Sequence, residues 1–550
     1  MFKVKKNIAK IIAKVVMNGP LLILTGLFVT SFIESTASAL ELDWSGQFRA
    51  ESTLLRKYSL DDTALGQSQD VNRVGQGGYY IPGGGAETAN FQELFLKLRP
   101  KLVVNDNIYI KSEWWVGDPV YGFYGNAYPN SFDQRQFYST QSRGSTITAQ
   151  RFWAEFLSDI GTIQVGRAPL QWGLGLVWNA GDGPWDHYES TGDTIRLISK
   201  FGAFSFIPAI TKYSMGNNVA GGCSYNNNGP TFCTSNLGGG GLSDYSLAFK
   251  YENPDDEFEV GLNFIKRIAG GGQDVSISGN GKDSSQSGPV GPGNTSDPSV
   301  DPVTGRPYHD VAGMNFNTWD IYGKKKVGKF NFSGEIPIVA GDLEGVGYNA
   351  FAIATEIDWH INDTWEITSK QGHAPGQPSS TFDRPDKYRA FFFNPNYKLG
   401  LIMFNYQLAN IAGPNSLNSP NANASSLQSP YDNPIVNANY LALGGQLHAE
   451  KWHFHSEFIT ASALETAQPG QNFYNTWNRR YYTNNANVTQ SKSLGSEIDF
   501  GTSFHWDEAF QFGLDWGWFF PGDFYKFSNT GFQNATGSVF AVNLKVGVTF

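Results

Sequence analysis

Phe540-Ala541-Val542-Asn543-Leu544-Lys545-Val546-Gly547-Val548-Thr549-Phe550 closes the chain, and its reading decides the fold. The even positions are Phe540, Val542, Leu544, Val546, Val548 and Phe550. The odd ones are Ala541, Asn543, Lys545, Gly547 and Thr549. Successive side chains of a strand point to opposite faces, so this segment has one apolar face and one small or polar face. A terminal strand of that kind, ending on an aromatic residue, predicts a transmembrane β-barrel with lipid outside and water inside. A sandwich strand could alternate in the same way, but the position at the end of a chain that opens with an export leader favours the barrel.

The same period recurs upstream. Trp44, Phe48 and Leu54 alternate with Asp43, Gln47, Arg49 and Glu51. Leu94, Leu96 and Leu98 oppose Glu93, Lys97 and Arg99. Phe351, Ile353, Ile357 and Trp359 oppose Glu356, Asp358 and His360. Ile498, Phe500 and Phe504 oppose Glu497, Asp499 and His505, and Phe512, Leu514, Trp516 and Trp518 oppose Gln511, Asp515 and Gly517. Charges confined to one face require a wet interior.

The connections alternate between short and long. Short turns are expected at Asn105–Asn107, Asp159–Gly161, Lys200–Gly202, Asn253–Asp256, Val327–Gly328, Ile361–Asp363, Tyr397–Leu399, Glu450–Lys451 and Asp507–Ala509. Between them lie polar, Gly-rich stretches at 56–90, 118–145, 169–193, 214–242, 268–314, 340–347, 373–386, 412–437, 464–492 and 521–537. Tight periplasmic turns and long outer loops are the habit of outer-membrane barrels. Nine turns and ten loops give 20 strands; without the hairpin at Tyr397–Leu399 the number is 18. The fold class is therefore an all-β, antiparallel, up-and-down barrel of 18 to 20 strands, too wide for wall side chains to fill.

Composition agrees with this reading. Charged residues make up only 16% of the 550, aromatics 15%, and glycines number 62. Residues 1–39 read as a cleavable signal peptide: a lysine-rich head to Lys14, an apolar stretch from Pro20 to Ile33, and a small-x-small site at Ala37-Ser38-Ala39. Cleavage after Ala39 leaves residues 40–550 as a single barrel domain. The leader holds five lysines against one acid, so the rest of the chain stands near -14 rather than -10. Such a charge speaks against nucleic acid, whose phosphates need basic partners. Cys223 and Cys233, in a polar loop of an oxidising compartment, are expected to form a disulfide.

The loop 169–193 is unusual. It holds Trp172, Trp178, Trp185 and Tyr188 among several aliphatics, more apolar surface than a water-facing tip would show. We expect it to fold into the lumen as a constriction. Its carboxylates Asp182, Asp186, Glu189 and Asp193 would then face Arg49, Arg99, Arg151, Arg167 and Arg196 across the pore. The aromatic rings could stack on sugars.

The run Gln164-Val165-Gly166-Arg167-Ala168-Pro169-Leu170-Gln171-Trp172-Gly173 resembles the strand end "GRQ-x-x-x-(aromatic)-G" of porin-like barrels, including alginate-export-type channels. The family's Arg falls on Arg167, and Ala168 stands where that pattern has Gln. The longer pattern GR-x-P-x-x-WGLG also resembles uncharacterised outer-membrane proteins. The terminal strand with Phe550 is similar to the signal read by the barrel assembly machinery, which the resemblance implies as a partner beside outer-membrane lipid and small solutes.

His448 lies before the Glu450–Lys451 turn and His453 and His455 after it. Parity sets these three with Glu457 on the lumen face, where they could hold Zn²⁺, respond to pH or simply bond to polar neighbours. The acids of 268–314 (Asp274, Asp283, Asp297, Asp301, Asp310) match no ordered calcium loop. No metal and no cofactor is expected: Gly238–Gly241 precedes no helix and has no following Lys-Ser/Thr. Ser503 and His505 lack a nameable third partner, so an enzyme is not expected. Two readings remain, a porin-like channel for small hydrophilic solutes with a possible carbohydrate preference, and a surface or adhesive protein with a closed lumen.

Overall fold

In a computed structural model, the structure describes residues 41–58, 88–117, 127–128, 141–142, 147–213, 225–226, 229–230, 242–269, 314–343, 346–381, 387–406, 408, 433–475, 480–485, 487–527 and 536–550. The leader, Cys223 and Cys233 with the disulfide expected of them, and the acids of 270–313 lie outside these residues.

Eighteen strands form the wall: β1 Glu41–Arg56, β2 Thr88–Asn105, β3 Ile108–Gly117, β4 Ile147–Ser158, β5 Gly161–Pro169, β6 Thr191–Phe201, β7 Phe204–Lys212, β8 Ser243–Asn253 and β9 Phe258–Ala269. The second half is β10 Met314–Val327, β11 Phe330–Leu343, β12 Val346–Phe351 with Ile353–His360, β13 Trp365–Ala374, β14 Ala438–Ala449, β15 Trp452–Ser462, β16 Ser493–His505, β17 Phe510–Pro521 and β18 Val539–Thr549. Each strand pairs antiparallel with the next, and β18 pairs with β1, so the sheet closes without an edge. In a bilayer that closure is compulsory, because an unpaired backbone group in hydrocarbon costs several kcal/mol. The break in β12 at Ala352 has a local cause. Ala352 donates its N–H to the Pro337 carbonyl at 3.0 Å, and Pro337 has no N–H to return.

The parity of the closing strand holds in three dimensions. Ala541 is 0% exposed and Leu544 49%. The buried face here is the lumen side, which carries Arg49, Glu51, Glu93, Lys97, Glu113 and Arg151, while Leu, Ile and Phe cover the outside. Aromatics gather outside the short turns: Trp44, Phe201, Phe204, Trp365, Trp452 and Trp506 are exposed there. Phe330 stacks on Trp359 at 5.6 Å between ring centres. The tryptophans among them, with an apolar ring body and a polar N–H, suit the headgroup level.

Eight of the nine expected turns join neighbouring strands. The hairpin at Tyr397–Leu399 does not exist. Residues 375–437 are one connection from β13 to β14, which yields the lower strand count. Of its described residues (375–381, 387–406, 408 and 433–437), Lys387–Tyr388 pairs parallel with Gly347–Tyr348 of β12, and the rest of 387–406 enters the lumen. There Phe391, Phe393, Tyr397, Leu399, Ile402, Met403, Phe404 and Tyr406 join Leu55, Phe91 and Tyr348 of the wall in one buried apolar cluster.

Candidate functional site: two segments across the lumen

The loop between β5 and β6 folds inward and crosses the bore. Trp172 donates its Nε1–H to the Asp320 carbonyl on β10 at 3.2 Å. Arg49 on β1 donates to the Asp186 carbonyl at 2.5 Å. Those two strands are nine apart in an eighteen-strand ring, so the loop is tied to opposite walls. Buried Glu335 on β11 accepts the backbone N–H of Gly175 at 2.9 Å and of Leu176 at 3.1 Å. A Cβ at Gly173 would lie 2.5 Å from Glu335 Oε2, and φ there is +52°. Only glycine combines that approach with that backbone.

The segment 387–406 is held in the same manner. Glu497 on β16 accepts the N–H of Ile402 at 2.7 Å and of Met403 at 2.5 Å, while Asp499 accepts that of Leu401 at 2.9 Å. Gly400 allows the approach, since a Cβ there would stand 2.6 Å from Glu497 Oε1. The two segments also join each other. Asn396 Nδ2 donates to the Tyr188 carbonyl at 2.5 Å, its Oδ1 accepts the Tyr188 N–H at 3.0 Å, and Asn394 N–H donates to the Leu176 carbonyl at 2.8 Å. Irregular backbone cannot make ladder bonds, so side chains of the wall and of the other segment supply the partners.

Opposite charges meet where the loop touches β1–β4. Glu113 on β3 accepts from Arg99 Nε at 2.8 Å and from Arg151 Nη1 at 3.2 Å, with Lys97 Nζ at 3.7 Å. From the loop, Asp182 accepts from Arg99 at 2.5 Å and from Arg151 at 3.1 Å. Glu189 Oε2 lies 3.0 Å from Arg151 Nη2. Burial pushes the Glu189 carboxyl up to about 7 and Glu113 adds to the rise, against the pull of Arg151 and Lys97. Lys97 Nζ donates to the Gly181 carbonyl at 2.9 Å.

The structure thus brings Arg99, Arg151 and Asp182 together, and separately sets Arg49 against the backbone of Asp186. The Asp186 carboxylate turns back to the Gly183 N–H, and only its carbonyl meets Arg49. Arg196 stays on the lumen wall, where it donates to Gln164 at 2.5 Å. Arg167 departs from expectation: it shares the outward face with Val165 and is half exposed in an ion pair with Asp193, cross-strand at 2.8 Å. Parity forbids it from joining Gln164 and Ala168 inside. Trp172 and Trp178 are buried against the wall beside Tyr322 and Ile265, so neither offers a ring face to a solute. Trp185 does, with Lys545 Nζ 5.4 Å from its ring centre.

His448 and His453 are directly opposite, as parity requires, with rings stacked at 4.5 Å. His453 Nε2 bonds to Gln446 at 3.0 Å, and His455 Nε2 lies 3.5 Å from Asp515, so the three do not converge on a point. Sequence reading missed Glu335, Glu497 and Asp499 as anchors. A carboxylate on a lumen face was the available signal, and Glu51, Glu93, Glu113 and Glu155 share it.

A closed antiparallel barrel with an apolar outside, aromatic rings at its rim and charges inside is a transmembrane barrel of the bacterial outer membrane. No family model matches the chain, and no curated protein does. Solved structures similar to it include Pseudomonas aeruginosa OccK9 (OpdG), at 8% identity and a TM-score of 0.45 over 92% of this chain and 99% of that one. P. aeruginosa OpdK with vanillate stands at 8% and 0.43, over 92% and 98%. The outer membrane channel DcaP of Acinetobacter baumannii stands at 9% and 0.37, over 94% and 99%.

Proposed function

We propose that the chain is a porin-like channel passing small hydrophilic solutes by passive diffusion, with the 169–193 loop as its constriction. The observation that carries this reading is the loop's attachment to opposite walls through Arg49 and Asp320. On either side polar cavities remain. One, of about 350 Å³, is lined by Gln47, Lys97, Arg99, Asp182, Glu508 and Gln511. Another, of about 320 Å³, meets Trp185, Lys398, Glu457, Asp515 and Lys545. Mixed charge on a wet surface suits solutes that hydrogen-bond rather than apolar ones. A carbohydrate preference rests on Trp185, the ring face left accessible.

The segment 387–406 favours a second reading, a surface protein with its lumen closed, because an apolar cluster fills space that water would otherwise occupy. Planar-bilayer recording of the purified, folded protein separates the two. Stable open steps that grow when residues 172–188 are deleted support the channel. Silence of both proteins supports the closed barrel.

A further inference from the structure

Glu51 on β1 and Glu93 on β2 face each other directly in the ladder, and both are buried on the lumen side. Like charges opposite one another destabilise a strand pair, and burial increases the effect. The inward loop brings buried His187 to them: its Nε2 lies 3.4 Å from Glu51 Oε1 and 3.7 Å from Glu93 Oε2. Ligand atoms of all three residues fall within 4.8 Å of one another, and they are the converging group of this kind among the described residues.

We propose that Glu51, Glu93 and His187 form a site for a divalent transition-metal ion that clips the constriction loop to the β1–β2 wall. Three observations support it. The distances from Nε2 exceed the 2.7–2.9 Å of a charge-assisted N–H···O bond. They match the roughly 3.4 Å edge of a tetrahedron with metal–ligand bonds of about 2.1 Å. Second, Glu51 Oε1 is shielded from solvent and has no hydrogen bond of good geometry, with His187 Nε2 and Arg49 Nε both held off at 3.4 Å. Third, Asn543 Nδ2 donates to the other oxygen, Glu51 Oε2, at 3.3 Å. That bond orients the carboxylate so that Oε1 is aimed at His187, as a residue behind a metal ligand does.

The chemistry selects the ion class. One imidazole nitrogen with two carboxylates suits zinc, iron(II) or manganese(II) better than calcium, which prefers six or more oxygens. Glu51 and His187 also line the cavity of about 320 Å³, which gives an ion a way in.

The test uses the full barrel in detergent micelles, stripped with EDTA and titrated with Zn²⁺ by calorimetry and with Co²⁺ by visible absorption. The expected result is one saturable site with Co²⁺ ligand-field bands of low coordination number. His187→Ala and Glu93→Gln should each weaken it more than about 100-fold, beyond the roughly 10–100-fold usual for residues behind the ligands. His453→Ala should leave it unchanged. Heat-modifiable migration verifies folding, and Glu93→Gln carries the test if His187→Ala does not fold. Absence of saturable binding overturns the proposal, as does binding that survives these two variants or follows His453.

Discussion

Glu335 on β11 and Glu497 on β16 perform the same act: each carboxylate accepts two consecutive backbone N–H groups of a segment that has left the barrel wall. Each such hydrogen bond contributes about 0.5–1.5 kcal/mol net. Removing either carboxylate also leaves buried amides unpaired. Glu335→Ala should therefore free the 169–193 loop while the wall stays closed. The expected outcome is larger and noisier single-channel steps, with the thermal transition of the β-sheet little changed. Unaltered conductance in a folded variant refutes the role of Glu335 as an anchor.

Gly173→Ala tests the same anchor from the loop side. The added methyl would enter Glu335 and sit at a φ that L-residues disfavour by about 1 kcal/mol or more. Its conductance should resemble that of Glu335→Ala, and the double variant should add little to either, because the two changes remove one contact. Additive effects would show that the glycine acts elsewhere.

Glu189 makes the loop sensitive to pH. Its carboxyl ionises near 7 in the fold against 4.5 as the ordinary value. A raised carboxyl means that the folded state keeps a proton that the unfolded state has lost, so this contribution to stability falls as pH rises from about 4.5 to 7. Glu189→Gln fixes the neutral form. Urea midpoints in micelles should decline across that window in the parent protein and decline less in the variant. Equal slopes would place the pH dependence on other groups.

The wall was legible in the sequence because lipid enforces one rule on every strand. Phe351, Leu544 and Phe520 had to be apolar whatever they touched, and turn chemistry such as Asn105-Asp106-Asn107 marked the corners. The 169–193 loop was visible for a related reason: its tryptophans had no lipid to face. The segment 387–406 was hidden. Its amides find Glu497 and Asp499 nearly a hundred residues away, which no local pattern announces. Phe391-Phe392-Phe393 followed by Asn394-Pro395-Asn396 lacks period two, and that was the one sign against a hairpin there. Arg167 was misplaced for a different reason, since the parity of Val165 already put it outside. Trp172 and Trp178 show the limit of composition: an inward loop needs its own apolar core, and that core consumed two of the four rings expected at the solute, with Tyr188 packed partly buried against it.

Under the proposed carbohydrate preference, Trp185 is the ring that would stack on a sugar. Trp185→Ala should weaken block of ion current by oligosaccharides several-fold and leave open conductance in salt unchanged, because a stacked ring contributes to a bound sugar without holding the loop. A parallel loss of block and of conductance would instead give Trp185 a structural role.

Phe550 pairs its backbone with Gly46 at 2.8 and 3.1 Å and lays its ring over that glycine, where a Cβ would come within 2.5 Å. The ring is more than half exposed. Its removal should therefore cost the folded barrel only about 0.5 kcal/mol, the usual scale for an exposed side chain. We propose that its larger role is as an assembly signal, met by the machinery before the strand has paired. Phe550→Ala should reduce the amount of heat-modifiable barrel recovered from cells several-fold, while protein refolded in detergent keeps its parent stability. Gly46→Val, which crowds the ring from the other strand, should do the reverse and lower stability at the β1–β18 seam. If Phe550→Ala assembled normally in cells, the aromatic end would be a seam contact and nothing more.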